Sequence, residues 1–357
     1  MSGTRTPLHR HKGVHLALGI VVSAGCLWWA ARDILKEKDA LAKVGGAFAD
    51  ANYVTAIPIL LAWVAFYWLK AWRWRLLLKP VGDYDVRREL LPPTMIGFAF
   101  NNLLPAHLGD LVRVFVFSQK SKAPKTAVLS TVILERVFDI LAILVILGVG
   151  LVFVNGLNPS IRQSAVVFGA AAGCCVLGAL AYVFWTRPFV RLFEAILGGV
   201  PLLPATVKTK ICGMLEAGAD GLASLKDVRL LTGIFGSSLA QWLLNGVTVH
   251  LALWSFGIHV DPLVSCIVLG VTAFGVTVPS SPGYFGVIQL CFMEVLRLFT
   301  NDEANVFAAS IYYHMIQYIP VTLVGLWYFN TTGLKMAEVE TTVEASPELS
   351  PSEAPAA

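Results

Sequence analysis

Three charged residues lie within five positions of an otherwise apolar stretch. Glu135, Arg136 and Asp139 fall inside the run Thr126–Val154. On a helix, Glu135 and Asp139 share one face, and Arg136 is three residues from Asp139. If the helix begins near Thr126, Glu135 lies about 14 Å along it, close to the middle of a bilayer. Each such charge costs ~2.5–3.5 kcal/mol to insert, which predicts either a transport pathway or a neutralised cluster that locks helices together.

A second polar group surrounds a break in the apolar segment Leu90–Ser118. The break is made by Pro105 and Gly109. The polar residues around it are Asn101, Asn102, His107, Asp110 and Arg113. A helix that begins after Gly109 presents free N–H groups, and with Arg113 nearby this suits an anion such as a phosphate. The alternative is that the asparagines only satisfy the broken backbone.

A matching break interrupts the segment Pro262–Phe299. The interrupting residues are Pro279, Pro282 and Gly283, and the polar residues beside them are Ser280, Ser281 and Tyr284. The serines either contact a substrate or only cap the following helix. Inside a membrane, such a break must face protein or a water-filled cavity. A matched pair of breaks in two halves of a chain points to the binding site of a transporter.

Three further groups carry weaker signals. His314, in the last apolar run, is expected at the depth of Glu135, although a lone histidine is usually a satisfied core residue. The run Lys70–Arg75 is basic and aromatic, which predicts an interfacial anchor, and its Arg73 and Arg75 could attract anionic headgroups. Polar residues of the fifth apolar run could join helices together. They are Gln241, Asn245 and His250.

The composition places these residues in a membrane. The 357-residue chain is 56% hydrophobic and 14% charged, whereas soluble chains average about 25% charged. Six apolar runs have about the 17–25 residues needed to cross a bilayer. They are Val14–Ala31, Val54–Leu69, Thr126–Val154, Ser164–Trp185, Leu230–Phe256 and Asn305–Phe329. With the two broken segments, this predicts an all-α polytopic membrane protein of six full spans and two helical hairpins, re-entrant or fully crossing.

Basic residues orient the predicted spans. They place the N-terminal segment 1–13 and the linker 187–229 in the cytoplasm. The first hairpin then enters from the cytoplasm and the second from outside. The halves 14–154 and 164–329 thus have one order and opposite directions, which predicts an inverted-topology repeat within a transmembrane domain 14–335. The acidic, proline-containing tail 336–357 is expected to be disordered and cytoplasmic.

Several classes of function are not expected from the sequence. It contains no glycine-rich nucleotide loop and no zinc-ligand spacing, and its six cysteines show no metal-like pattern. We therefore expect no metal, no cofactor, no nucleic-acid partner and no enzymatic activity. The expected partners are membrane lipids and, under one hypothesis below, a lipid- or glycan-modifying enzyme.

The motifs at 101–113, 135–139 and 279–286 together resemble the lysylphosphatidylglycerol synthase transmembrane region. This is the flippase-like domain of bacterial multiple peptide resistance factors, shared with hopanoid-associated and uncharacterised inner-membrane proteins. The resemblance runs from the first span to about residue 333. It implies a multi-pass protein of the bacterial inner membrane, with cytoplasmic termini, that moves an anionic or aminoacylated lipid between leaflets.

The resemblance also assigns roles to residues. Its polar core would be Arg113, Glu135, Arg136 and Asp139. His107 stands where arginine is common in the family, which bears on the charge of the substrate. The soluble aminoacyl-transferring domain of the full synthases is missing, so we do not expect the chain to synthesise lysyl lipid.

The leading hypothesis is a lipid flippase-like transporter whose two hairpins meet near the midplane. Arg113 and Arg136 would receive the phosphate of a phospholipid or polyprenyl-linked lipid, and Glu135, Asp139 and His314 would balance charge or carry protons. One alternative is a non-transporting membrane partner of a lipid- or glycan-modifying enzyme. Another is an intramembrane transferase that uses Glu135 and Asp139 as a carboxylate pair.

Overall fold

A computed structural model describes residues 9–36, 39–104, 108–156, 159–184, 188, 191, 227–277 and 280–334. Within them all regular secondary structure is helical, which confirms the predicted all-α class. The segment 1–8, most of the predicted linker 187–229 and the predicted tail 336–357 lie outside the described residues. So do Pro105, His107 and Pro279, which were predicted from the sequence as helix-break or site residues.

The described chain contains six long helices of 23 to 29 residues, and each coincides with one predicted apolar run. They are α1 His9–Ala31, α3 Ala56–Leu78, α6 Lys125–Phe153, α7 Pro159–Phe184, α8 Val228–Ser255 and α11 Glu303–Thr331. At about 1.5 Å per residue, they are roughly 35–44 Å long. Two of the described helical segments, Tyr53–Leu78 and Lys125–Phe153, are long enough and contain a stretch apolar enough to cross a membrane by composition.

The two broken segments each form a pair of short helices. The first consists of α4 Leu91–Leu103 and α5 Gly109–Ser121. The second consists of α9 Pro262–Gly275, a 3₁₀ turn at Pro282–Tyr284 and α10 Val287–Leu296. With 10 to 14 residues each, these arms are roughly 15–21 Å long, shorter than the roughly 30 Å core of a bilayer.

The predicted break glycines act in different ways. Gly283 has a φ of +78°, a left-handed conformation that glycine adopts without strain, so it makes the turn itself. Gly109 is instead the first residue of α5, and a Cβ there would lie 2.0 Å from the carbonyl oxygen of Gly97 on α4. It is needed because the two arms of the first hairpin touch backbone to backbone.

One helix was not predicted from the sequence. The segment between the first two apolar runs contains α2 Ala40–Asp50, which packs against α11. Its buried residues are Ala40 and Ala47, while Leu41 is exposed. The mixed charges of this segment obscured a short amphipathic pattern.

Helices from the first half of the chain pack on helices from the second half. Helix α3 packs on α8, α4 on α11, α6 on α9, and α1 on α10. The largest core cluster lies around α8 to α11, and a second lies among α3, α5, α6 and α8. The charged residues of α3, α5 and α6 therefore meet inside the molecule.

Large apolar side chains cover much of the outside. Val21, Leu61, Phe168 and Trp327 are each more than 60% exposed, and they lie on four different long helices. An exposed apolar surface of this extent is typical of a face that contacts another apolar medium rather than water. The fold therefore exposes many large apolar side chains while it buries a group of charged ones.

Candidate functional site

Asp139 lies at the centre of a buried group of charges. Its Oδ1 accepts hydrogen bonds from Arg73 Nη1 at 2.6 Å, Gln241 Nε2 at 2.7 Å and Trp242 Nε1 at 2.8 Å. Its Oδ2 accepts from Lys70 Nζ at 3.0 Å. Helices α3, α6 and α8 are thus tied together at one carboxylate.

Glu135, one turn before Asp139 on α6, joins the same group. Its Oε2 accepts from Arg113 Nη1 at 3.0 Å. Its Oε1 forms ion pairs with Arg73 Nη2 at 3.1 Å and with Lys70 Nζ at 3.6 Å. All five side chains are at most 4% exposed. We call Lys70, Arg73, Arg113, Glu135 and Asp139 the charge cluster.

Helical spacing explains why these residues meet. Lys70 and Arg73 are three apart on α3, and Glu135 and Asp139 are four apart on α6, so each pair shares a face. Trp74 fixes the register between the two helices because its Nε1 donates to Thr131 Oγ1 at 3.0 Å. The Arg113 guanidinium stacks 3.7 Å over the Trp74 ring, which brings α5 to the same point.

Aromatic rings surround the Lys70 ammonium. The centroids of Phe66, Phe98 and Trp242 lie 5.4, 5.1 and 5.8 Å from Nζ. Rings at this distance attract a cation through their negative faces. Lys70 therefore sits in an aromatic cage closed on one side by two carboxylates.

Arg136 and Asp110 form a second ion pair at the edge of the charge cluster. Arg136 Nη2 lies 2.7 and 2.6 Å from the two Asp110 oxygens, and Arg136 Nε donates at 3.0 Å. Asn101 Nδ2 donates to the same carboxylate at 3.1 Å. The Arg136 side chain is 36% exposed and that of Asp110 17%. We call Arg136 and Asp110 the edge pair; it is the accessible part of this charged site.

The second break is held by α1 and α11 rather than by the charge cluster. Ser23 Oγ of α1 donates to Ser281 Oγ at 2.7 Å and accepts from the Ser281 N–H at 2.9 Å. His314 Nε2 lies 2.8 Å from the Gly283 carbonyl oxygen, and its Nδ1 lies 3.2 Å from Gln289 Nε2. Both ring nitrogens of His314 are engaged, so in this conformation the ring positions the turn.

The two breaks lie beside one another along α11. Asn102 Nδ2 donates to Thr322 Oγ1 at 2.9 Å, while the ring of Tyr318, one turn earlier, would be 2.8 Å from a Cβ at Gly283. Helix α4 also contacts the 3₁₀ turn Pro282–Tyr284. The structure therefore brings part of the predicted set into one charged site: Asn101, Asp110 and Arg113 of the first break with Glu135, Arg136 and Asp139 of α6. Ser280, Ser281, Tyr284 and His314 lie at the neighbouring turn.

The predicted headgroup-facing position of Arg73 is wrong. Its side chain is fully buried and contacts Asp139, Glu135 and Ser238 Oγ, the last at 2.7 Å. Arg75, two positions on, lies at the surface and pairs with Asp83. The basic-aromatic run is helical, so Arg73 and Arg75, two residues apart, lie on nearly opposite faces of α3. The composition of the run alone did not show which of the two is buried.

Lys70 and Gln241 were underestimated from the sequence. Lys70 was considered only as part of an anchor, and Gln241 only as a contact between helices. The available signal was the spacing: a cationic i, i+3 pair on one apolar helix complements an anionic i, i+4 pair on another. Among the described residues, no group of histidine, cysteine and acidic side chains is arranged to hold a metal ion.

An all-helical chain with an apolar exterior and ion pairs sealed inside is the architecture of an integral membrane protein. The chain belongs to the family of the lysylphosphatidylglycerol synthase transmembrane region, whose profile matches residues 16–325. The match covers all three motifs on which the resemblance was based, and it confirms that resemblance.

Individual relatives differ in how much of their length is matched. The chain is 26% identical to glycosyltransferase AglD of Haloferax volcanii over 306 residues, which are 76% of this chain and 48% of AglD. It is 23% identical to a UPF0104 membrane protein of Methanocaldococcus jannaschii over 234 residues, 64% of this chain and 92% of that protein. It thus spans about half the length of AglD. No solved structure matches it.

A further relative is the phosphatidylglycerol lysyltransferase of Bacillus subtilis. The identity is 27% over 159 residues, which are 44% of this chain and 18% of that protein. Two relatives are therefore named as enzymes, which at the level of the family points away from the expectation of no enzymatic activity. The matched family region is described as a transmembrane region.

Proposed function

We propose that this protein moves a lipid with an anionic or aminoacylated headgroup, a phospholipid or a polyprenyl-linked lipid, between the leaflets of the bacterial inner membrane. The observation that carries the proposal is the charge cluster, open to its surroundings through the edge pair and placed beside two helix breaks. Charged residues inside a membrane protein usually mark a pathway for a polar substrate. The edge pair offers a guanidinium to a phosphate and a carboxylate to an amine.

The energetics of the cluster support a role beyond holding helices together. Burying charges carries a desolvation cost that well-packed apolar residues of the same volume avoid. One structural pair would suffice to fix α3 against α6, yet five buried charges on three helices are present. A network that can exchange partners allows α5 to shift against α6 while its charges remain paired. Such a shift would open a path for a headgroup.

The packing supports an inverted repeat of the halves 14–154 and 164–329. In such a repeat α3 corresponds to α8, α4 to α9, and α6 to α11. The α4–α11 and α9–α6 contacts are then equivalent, and both are present. A glycine lies at each: Gly325 of α11 against Met95 and Ala99, and Gly150 of α6 against Leu263 and Ile267. A topology of six spans, two re-entrant hairpins and two cytoplasmic termini is consistent with this inverted repeat.

A second candidate function is a non-transporting partner of a lipid- or glycan-modifying enzyme. The similarity to AglD favours it, since a glycosyltransferase of twice the matched length contains a region like this chain. The third hypothesis, transferase chemistry by Glu135 and Asp139, has less support. Both carboxylates contact two or more cations, whereas a general acid or base needs a carboxyl group free to exchange a proton.

Transport is tested in proteoliposomes with phosphatidylglycerol labelled on an acyl chain, scored by accessibility to a membrane-impermeant quencher. Arg136→Gln breaks the edge pair and is expected to slow movement at least ~10-fold, the loss of a charge-assisted contact. Lys120→Gln removes an exposed cation from α5 and is the matched control, expected to move lipid normally.

Two results would contradict the proposal. Equal rates for Arg136→Gln and the unmodified chain would remove the edge pair from the pathway. No movement of any lipid, together with an enzyme that co-purifies and depends on this chain for activity, would establish the second candidate function instead.

A further inference from the structure

The charges around the site do not balance. Among the described residues, the cations are Lys70, Arg73, Arg113 and Arg136, and the carboxylates are Asp110, Glu135 and Asp139. The side chains that face them from α4 and α8 are uncharged: Asn101, Ser238, Gln241 and Trp242. With all seven side chains ionised, the site therefore holds one positive charge in excess. A buried charge without a counterion is unfavourable in a low-dielectric interior.

Within the charge cluster, Arg113 pairs with one carboxylate, whereas Lys70 and Arg73 each pair with two. The Arg113 side chain is 1% exposed and uses Nη1 to bind Glu135, while its Nε and Nη2 have no hydrogen-bond partner. Arg73 Nε also lacks a partner. Buried donors in native proteins are nearly always satisfied, so these N–H groups are suited to the acceptor oxygens of a ligand. Arg113 is three residues from Asp110 on α5, one turn from the accessible edge pair.

The position suited to an ammonium group is already filled. The Lys70 ammonium lies among the rings of Phe66, Phe98 and Trp242. It also contacts Asp139 and Glu135. Three aromatic faces with adjacent carboxylates are the features that recognise an amine. An amine of a substrate would have to displace a tethered lysine to reach them.

We propose, building on the lipid transport proposed above, that the site selects lipids with a phosphodiester anion and no amine, and discriminates against aminoacylated lipids. One phosphodiester neutralises the excess charge and supplies acceptor oxygens for Arg113 Nε and Nη2. A lysylated phosphatidylglycerol, with two amines and one phosphate, would instead raise the excess to two. Arg113 thus sets the preference for an anion, and Lys70 excludes the amine.

The test compares acyl-labelled phosphatidylglycerol with acyl-labelled lysylphosphatidylglycerol, both for binding to the purified chain and for movement in proteoliposomes. We expect the unmodified chain to favour phosphatidylglycerol at least ~10-fold, the ratio that corresponds to one buried charge contact. Inorganic phosphate in excess is not expected to compete, because it lacks the acyl chains that enter between apolar helices. Competition by it would overturn the assignment to a lipid.

Two variants separate the roles of the cations. Lys70→Ala removes the excess charge and vacates the aromatic cage, so the preference should reverse in favour of the lysylated lipid. Arg113→Gln removes the same charge but leaves the cage filled, so phosphatidylglycerol binding should fall without any gain for the lysylated lipid. Lys79→Ala, directly after the end of α3, and Lys120→Gln on α5 remove exposed cations and should retain the original preference.

The failures of the two proposals are distinguishable. Equal handling of both lipids by the unmodified chain, or a preference for the lysylated one, overturns the charge selection while lipid transport stands. If neither lipid binds or moves, both proposals fail. If Lys70→Ala does not yield monodisperse protein, the comparison of Arg113→Gln with Lys120→Gln still decides, since unchanged selectivity in Arg113→Gln overturns the role of Arg113.

Discussion

Asp139 accepts hydrogen bonds from four side chains that come from two other helices. Two of these donors, Lys70 and Arg73, are buried cations. They are favourable inside the molecule only while a carboxylate lies against them. At the residue scale, this one side chain therefore links the stability of the fold to the chemistry of the site.

The stability prediction follows from that arrangement. Asp139→Asn removes the carboxylate charge and leaves Lys70 and Arg73 with Glu135 alone, so it should destabilise the protein by ~3–5 kcal/mol. The measurement is the midpoint of thermal unfolding in detergent, followed by tryptophan fluorescence. Asp83→Asn is the matched control, because Asp83 is 74% exposed in its pair with Arg75, and exposed pairs contribute ~0–1 kcal/mol. Equal midpoints for the two variants would contradict the structural importance of the cluster.

Helix α1 packs on the second hairpin, with contacts from Ser23 to Trp29. The ring N–H of Trp29 donates to Glu294 of α10 at 3.0 Å. Beyond the end of α1, Asp33 pairs with Arg297 at 3.0 Å. The pKa of Asp33 is lowered, first by its hydrogen bond from Lys36, so this carboxylate remains charged at neutral pH. At the element scale, α1 and the second hairpin form one unit beside the charged site.

The close contact between these elements depends on Gly286. Its φ is +85°, and a Cβ there would lie 2.2 Å from the carbonyl oxygen of Ser23. Gly286→Ala should therefore push α1 away from α10 and lower the midpoint of thermal unfolding.

Gly236→Ala on α8 is the control for that variant, since its Cβ would meet nothing within 4 Å. Alanine favours a helix over glycine by about 1 kcal/mol, so this control should retain or raise the midpoint. A Gly286→Ala protein as stable as Gly236→Ala would mean that α1 is not closely packed on the hairpin.

At the scale of the whole molecule, the two halves are packed into each other. The first hairpin helix of each half packs on the last helix of the other half: α4 on α11, and α9 on α6. The two largest core clusters accordingly include residues of both halves. This packing also places both helix breaks along one stretch of α11, next to the cluster on α3, α5 and α6. An inverted repeat would account for this arrangement if the two hairpins open to opposite sides of the membrane.

Opposite orientation has a direct test. Single cysteines are introduced at Gln119, in the last turn of α5, and at Asn301, between α10 and α11, in a chain whose native cysteines are replaced by serine. Only the Asn301→Cys protein should react with a membrane-impermeant maleimide added to intact cells, while both should react after permeabilisation. Labelling of both positions in intact cells would contradict the inverted repeat.

The sequence by itself determined the helices and the places where they break. Apolar runs, proline and glycine act locally along the chain, so α1, α3, α6, α7, α8 and α11 were all predicted, although α3 ends at Leu78 and not near the predicted end at Leu69. The polar residues of α6 and of the first break were also selected as candidate site residues, because a charged residue inside an apolar run can be recognised in the sequence. Local patterns could not show which charges pair.

Only the tertiary structure decided those pairings. Arg113 contacts Glu135 rather than its helical neighbour Asp110, and Asp110 contacts Arg136. Lys70 and Arg73, which looked like a surface anchor, lie inside because the packing of α3 on α6 and α8 buries that face. The physical reason is that a buried charge is placed by its partners, and these partners lie 22 to 102 residues apart along the chain.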